Sequence, residues 1–306
     1  MQRPISRHNQ RPRSYRPGRW LAQNVWGYAF VLPHTLFFAV FFLVPVAGAI
    51  ALAFLDYQPR SIEWVGLENF RTVLRDPLFG IALRNTAVFT AAVVVFWLGK
   101  ALLIAYLLDP LSHGLQTFYK SAFYLPAVTS SVIISLVWLW IFNPTFGLLN
   151  AFMSLLGLEP VTWLGNTSTA LPALIAMQVI MGGGSSIVLL SAALARIPRD
   201  LYEVAIMDGA SRGVTFRQIV LPLIRPTLLY LVVTGTINTF QVFDSIYIMT
   251  GGGPQFATIT VVYLIYQTAF RQFELGLASA QAILLFLITF ALAAVQFRWL
   301  GQNVEY

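Results

Sequence analysis

The chain has 306 residues, of which 58% are hydrophobic and only 10% charged, whereas about a quarter of residues are charged in soluble domains. That balance identifies an integral membrane protein and excludes an ordinary soluble enzyme. The absence of cysteine rules out disulfide frameworks and Cys-based zinc, iron–sulfur or thiol chemistry, and the net charge of +7 sits mainly in a tail and in loops beside apolar runs, a mark of membrane topology and not of nucleic-acid binding.

Residues 1–25 hold six arginines (Arg3, Arg7, Arg11, Arg13, Arg16 and Arg19) and few apolar side chains. Such a composition cannot bury a core and predicts a disordered cytoplasmic tail that sets topology. The nearly continuous apolar run 26–55 exceeds the roughly 20 residues needed to cross a bilayer and predicts the first span. Ala51-Leu52-Ala53 imitates a cleavage site, but the run is about twice as long as a signal peptide's apolar region, which predicts an uncleaved span. Asp56 to Arg84 mixes charges of both signs and reads as the first external loop, with a short amphipathic helix over Leu67–Leu74.

The second span covers 85–108 and carries Lys100, expected to snorkel or to pair inside the bundle. A short internal loop follows, then a third span at 121–142 with Trp138 and Trp140 near its outer end. Asn143 to Thr169 contains no lysine or arginine, which places it outside. The fourth span, 170–195, is interrupted by Gly182-Gly183-Gly184-Ser185-Ser186. The loop 196–222 leads to a fifth span at 223–249, an external turn at Gly251-Gly252-Gly253-Pro254, a sixth span at 276–300 and a cytoplasmic end at 301–306. Most lysines and arginines then fall inside, the exceptions being Lys100 within a span and Arg60, Arg71, Arg75, Arg84 and Arg271 outside. The expected fold is therefore all-α and polytopic, with six transmembrane helices, both termini cytoplasmic, and a cytoplasmic helix between spans four and five. No tandem repeat is present, so one chain is expected to supply half of a transmembrane unit.

The loop 196–222 is a polar island in this apolar chain. Pro198 suits a first helical position, where its missing N–H would be orphaned anyway, and Asp200 and Glu203 bring negative charge to the positive helix end. Gly209 can take the positive φ that reverses the chain, Ser211 can cap a second short helix, and Pro222 is expected to break before the next span. Small residues leave room for a docking surface, with Leu201, Ile206, Met207 and Phe216 as apolar knobs.

The run Glu203-Val204-Ala205 with Gly209, followed by Ile219-Val220-Leu221-Pro222, resembles the cytoplasmic coupling loop of ABC-importer permeases. The wider pattern is similar to the carbohydrate-uptake subfamily, which includes the maltose and glycerol-3-phosphate systems. It runs through Asn69-Phe70, Asn85-Thr86, Tyr124-Leu125-Pro126, Phe142-Asn143-Pro144, Phe243-Asp244, Gly252-Gly253-Pro254 and Gly276-Leu277-Ala278-Ser279-Ala280. The one visible departure is Val204, where the family has alanine. The resemblance implies a prokaryotic inner or plasma membrane protein with several partners: a second homologous six-span permease (a different chain in this subfamily), a dimer of cytoplasmic ABC ATPases and an extracytoplasmic solute-binding protein. It assigns the ATPase contact to Leu201, Tyr202, Glu203, Ala205, Met207, Asp208, Gly209 and Ala210.

Nothing in the chain can hold ATP in a phosphate-cradling loop: its two lysines, Lys100 and Lys120, both lack the flanking Gly and Ser/Thr pattern. The chain also lacks the intramembrane acids of many proton-coupled carriers. It is therefore read as a non-enzyme without cofactor of its own, with ATP and Mg used by the partner subunits and no metal site. A stand-alone secondary carrier or channel is the competing reading, although neither inverted repeats nor a coupling-ion site supports it. Span five is rich in polar groups. Asn238, Gln241 and Ser245 share a helix face by spacing, and Phe240, Phe243 and Tyr247 flank them, a chemistry suited to sugar hydroxyls and C–H faces. In the maltose-type relatives the sugar is held from the spans before and after the coupling loop, which implicates Gly182 and Ser185 on one side and Thr239 on the other. The expected solute path thus comprises Gly182, Ser185, Asn238, Thr239, Gln241 and Asp244, with a structural or gating role preferred for Asp244.

Overall fold

The structure is a computed structural model that describes residues 17–58 and 61–300. Most of the expected tail, the expected cytoplasmic end 301–306 and Arg60 lie outside the described residues. The chain divides into two units, one ending at Ala51 and one beginning at Leu52.

In the first unit, α1 (Pro17–Phe38) runs through a π-turn at Ala39–Leu43 into α2 (Val44–Leu52). The helix thus begins within the stretch expected to be a tail. The Val44 N–H bonds back to the Ala39 carbonyl, five residues earlier, directly before Pro45. Widening one turn in this way accommodates a ring that would otherwise collide with a carbonyl of the preceding turn. From Val25 to Ala51 no side chain is buried and apolar residues cover all sides, the composition of a helix surrounded by lipid or by other helices.

The second unit opens with the one departure from an all-α fold among the described residues. A two-stranded antiparallel hairpin pairs β1 (Leu55–Gln58) with β2 (Ser61–Trp64), Leu55 facing Trp64. The amphipathic α3 (Glu68–Arg75) matches its sequence pattern, and Asn69 Nδ2 donates to the carbonyls of Ala53 and Leu55 at 3.0 and 2.9 Å. Helix α4 (Pro77–Leu108) begins eight residues before the expected span because Asp76 caps it, accepting from the Leu78 N–H at 2.8 Å, and Pro77 occupies its first turn. At 32 residues it is about 48 Å long, more than a hydrocarbon core is thick.

Helix α4 is the central strut. It packs against the helices that follow the third span, burying Phe79, Ala82, Phe89, Val93, Ala101 and Ala105. The third span is not one helix: α5 (His113–Tyr124) passes through a 3₁₀ turn at Leu125–Val128 and bends by 95° before α6 (Ser131–Ile141). Pro126 lacks a backbone donor and pushes the chain out of α geometry, and Thr129 and Ser130 are extended. The segment expected to be external contains α7 (Leu148–Leu155), fixed by Asn150, which bonds the Pro144 and Val161 backbone and the Trp163 indole N–H.

The fourth span divides as expected at its glycines into α8 (Ala170–Met181) and α9 (Gly184–Leu194), bent by 47°. After α10 (Arg199–Met207), α11 (Arg212–Thr215) continues through a π-turn at Phe216–Val220 into α12 (Leu221–Phe240). Pro222 therefore does not break the chain as expected. The Leu221 N–H bonds to the Phe216 carbonyl five residues earlier, the arrangement already seen before Pro45. A short α13 (Asp244–Met249) follows, then α14 (Val261–Phe270), which the sequence reading left unassigned, and α15 (Leu275–Leu300). Among the described residues, helices long and apolar enough to cross a membrane number four, or six when each of the two bent pairs is counted as one span.

Candidate functional site

Three helix breaks meet at one cavity of about 420 Å³. Met181 and Gly182 end α8, Ser131 starts α6, and Gln241 to Asp244 join α12 to α13, and all of these residues line it. Helix ends carry unpaired backbone groups, so broken helices bring polar backbone into an otherwise apolar bundle, where it is tolerated only if it lines a cavity or is capped.

The α8 break is held from α4. Gly182 ends α8 with its N–H on the Gln178 carbonyl at 2.9 Å, and Gly183 takes φ +102°, which a side chain would strain. Lys100 Nζ donates to the carbonyls of Ile180 at 2.9 Å and Gly182 at 2.7 Å, and also to that of Val179. Of the two expectations, Lys100 thus takes pairing inside the bundle, with carbonyls as its partners. It caps the negative end of a half-helix. One turn earlier on α4, Trp97 fills the niche that three glycines leave: a Cβ on Gly182, Gly183 or Gly235 would lie 3.1, 2.8 and 2.8 Å from its ring. Replacing Lys100 with methionine keeps the bulk but leaves these carbonyls unpaired. The expected loss is about 2–4 kcal/mol of stability, read as a lower thermal midpoint of the purified protein, with Lys100→Arg intermediate.

The α12 break has no glycine or proline. Thr239 Oγ1 donates back to the Gly235 carbonyl, and the Val242 N–H bonds to the Thr239 carbonyl at 3.2 Å, which tightens the last turn. Asn238, Gln241 and Ser245 therefore do not share a continuous helix face as their spacing suggested; they reach the same cavity from two helices separated by the break. Asp244 accepts a hydrogen bond from Ser131 Oγ, which ties α13 to α6. Ser245 is 5% exposed, and its hydroxyl is buried with no protein partner.

Of the expected path residues, Gly182, Asn238, Thr239, Gln241 and Asp244 line the cavity. Ser185 does not: it lies exposed in the first turn of α9, beyond the bend that redirects the helix. Thr129, Ser131, Ser135 and Gln178 also line it and were missed. Gln178 was findable as a lone amide in an apolar span. The α6 residues carry no such mark, because the bend between α5 and α6 sets their position. Phe243 and Tyr247 stack at 5.4 Å and continue into Tyr263 and Tyr266, an aromatic wall on α13 and α14.

The second feature is the segment from Arg199 to Thr215. Pro198 stands one position before α10, not at its first residue. Gly209 takes φ +71° as expected, with its N–H on the Ile206 carbonyl at 3.0 Å and the Ala210 N–H on the Ala205 carbonyl at 2.9 Å. Ser211 Oγ caps α11, accepting from the Val214 N–H at 3.4 Å. Ile206 and Met207 are 73% and 78% exposed, and Leu201, Glu203, Asp208 and Gly209 are exposed with them. Ala205 is buried and Ala210 is half-buried; Tyr202 packs beside the cluster that contains Leu194 and Ile197. Ala205 thus faces its own chain and does not offer a surface. Burial and the nearby Asp109 and Tyr106 push the Tyr202 phenol above its ordinary range, so it stays protonated. Among the described residues, no three His, Asp or Glu side chains gather as a metal site would require.

A family described as "Binding-protein-dependent transport system inner membrane component" matches residues 101–306. The sn-glycerol-3-phosphate transport system permease protein UgpA of Brucella abortus is 34% identical over 284 residues, covering 91% of this chain and 96% of that protein. UgpA of Yersinia enterocolitica is 33% identical over 304 residues, covering 96% and 99%. Among solved structures, a bacterial ABC transporter involved in import of the acidic polysaccharide alginate aligns with TM-score 0.84 at 24% identity, covering 95% of this chain and all of that one, a likeness of fold.

Proposed function

The chain belongs to the binding-protein-dependent transport system inner membrane component family, and from that membership we propose that it supplies half of the translocation path of an ATP-driven importer for a sugar or related polyol. In this reading the two bent helix pairs and the four long helices are six spans, both termini are cytoplasmic, and the segment 196–222 faces the cytoplasm. A solute-binding protein outside the membrane delivers the solute. A second, similar permease completes the path, and a pair of ATPase subunits receives α10 and its counterpart.

The observation that carries the proposal is the convergence of three broken helices on a cavity lined by amides and hydroxyls. Half-helices meeting at a polar site are how membrane carriers bind solutes without exposing backbone to lipid. Helix α10 supplies the second half of the argument. Its exposed Ile206 and Met207 form an apolar knob that a partner surface would cover.

Purification of the membrane assembly tests this directly. An ATPase is expected to copurify, and a sugar-loaded binding protein to raise hydrolysis several-fold. Glu203→Ala is expected to reduce that stimulation while the assembly stays intact by size exclusion. An assembly with no ATPase, or one whose hydrolysis ignores every loaded binding protein, would overturn the reading.

A further inference from the structure

Resting on the proposal that this cavity is the solute path, we infer that its solute is an uncharged, hydroxyl-rich molecule and not a phosphate- or carboxylate-bearing one. No lysine, arginine or histidine among the described residues lines the cavity, and its single ionisable side chain is the Asp244 carboxylate. Lys100, which bonds the carbonyl of the lining residue Gly182, is committed to the carbonyls at the end of α8.

The half-helix ends do not supply positive charge in its place. The α13 start carries Asp244 itself, and the same carboxylate accepts from Ser131 at the start of α6. The positive ends of α6 and α13 therefore already meet an anion of the protein. A phosphate or uronate in this cavity would face a carboxylate with no pairing cation from this chain, an arrangement that disfavours binding by like-charge repulsion. A neutral polyol meets complementary groups. Asn238, Gln241 and Gln178 offer both donors and acceptors, and the buried hydroxyl of Ser245 lacks a protein partner that a solute hydroxyl would provide. The names of relatives, which carry glycerol-3-phosphate and alginate, do not transfer in charge class.

The test uses the assembled permease with Asn238→Cys, the one thiol in a chain that otherwise has none. The rate of labelling by a water-soluble thiol reagent is measured with matched pairs of probes: glycerol against sn-glycerol-3-phosphate, and mannobiose and maltose against dimannuronate. At least one uncharged probe is expected to protect the thiol at a concentration about ten-fold or more below its charged counterpart, and Asp244→Asn to narrow that difference. Equal or better protection by the charged probe, or no protection by any uncharged probe, overturns the inference. Labelling does not depend on nucleotide hydrolysis. Protection by a charged probe alone, in an assembly whose ATPase still responds to loaded binding protein, therefore removes the neutral class and leaves the importer reading standing.

Discussion

Proline in place of Gly209 uncouples the assembly: hydrolysis falls to its unstimulated level while the permease still folds and inserts. Gly209 holds φ +71° between α10 and α11, and its N–H closes the end of α10 on the Ile206 carbonyl. Proline is fixed near φ −65° and has no donor, so the turn is lost at a cost of about 3 kcal/mol or more, which depopulates it about a hundred-fold. The exposed Ile206 and Met207 then no longer hold one orientation. The control is Gly209→Asn. Nothing lies within 4 Å of a Cβ at this position, and asparagine tolerates the left-handed region, so most of the stimulation is expected to survive. Equal loss in both variants would mean that the site requires the absence of a side chain and not the backbone shape.

Valine in place of Gly184 is expected to have a large effect on stability. A Cβ there would lie 2.3 Å from the Phe123 carbonyl oxygen and 2.8 Å from Tyr124 Cα. Both are backbone atoms of the α5 end, which cannot move without displacing the bend that leads to α6. The expected penalty is about 3 kcal/mol, the upper end of overpacking costs, seen as a reduced folded yield and a lower thermal midpoint of the purified complex. Gly99→Ala is the contrast. Gly99 lies within α4 with open space around its Cβ position, so alanine should be neutral or stabilise by about 0.5–1 kcal/mol. Equal behaviour of the two variants would remove the close approach of α9 to α5 from the account.

Several of these features are readable in the sequence because they depend on one residue's backbone chemistry. Gly182-Gly183 announces the α8 break and Gly209 the turn after α10. Gly251 and Gly252 take φ +57° and +79° in the expected external turn. Other features depend on partners distant in sequence and carry no local mark. Lys100 could be recognised as anomalous, but the carbonyls that it caps lie about 80 residues away. The α12 break carries no glycine or proline to mark it, and Pro222 fails to break its helix because a π-turn precedes it.

The motif residues divide in an informative way. Asn85 bonds the carbonyls of Phe256 and Ile259, Thr86 accepts from the Val261 N–H, and Gly276 passes so close to the Leu55 carbonyl that a Cβ would lie 2.1 Å away. These positions secure the frame around the hairpin and the loop before α14. Gln178, Ser131, Ser135 and Ser245 line the cavity, yet of these the sequence pattern singled out only Ser245. The motif thus reaches the pocket only through Pro126, Phe243 and Asp244, because scaffold contacts need particular backbone geometry and many pocket contacts need only a polar atom in the right place.

The most direct test asks whether the cavity between the helix breaks is the path that nucleotide opens and closes. Gln241→Cys in the otherwise cysteine-free chain is labelled by a membrane-impermeant thiol reagent from each side of a reconstituted bilayer, with and without ATP and loaded binding protein. The account predicts that access switches from one side to the other with nucleotide, and that Gly209→Pro abolishes the switch while leaving the labelling itself intact. Labelling from one side only, indifferent to nucleotide, would contradict it.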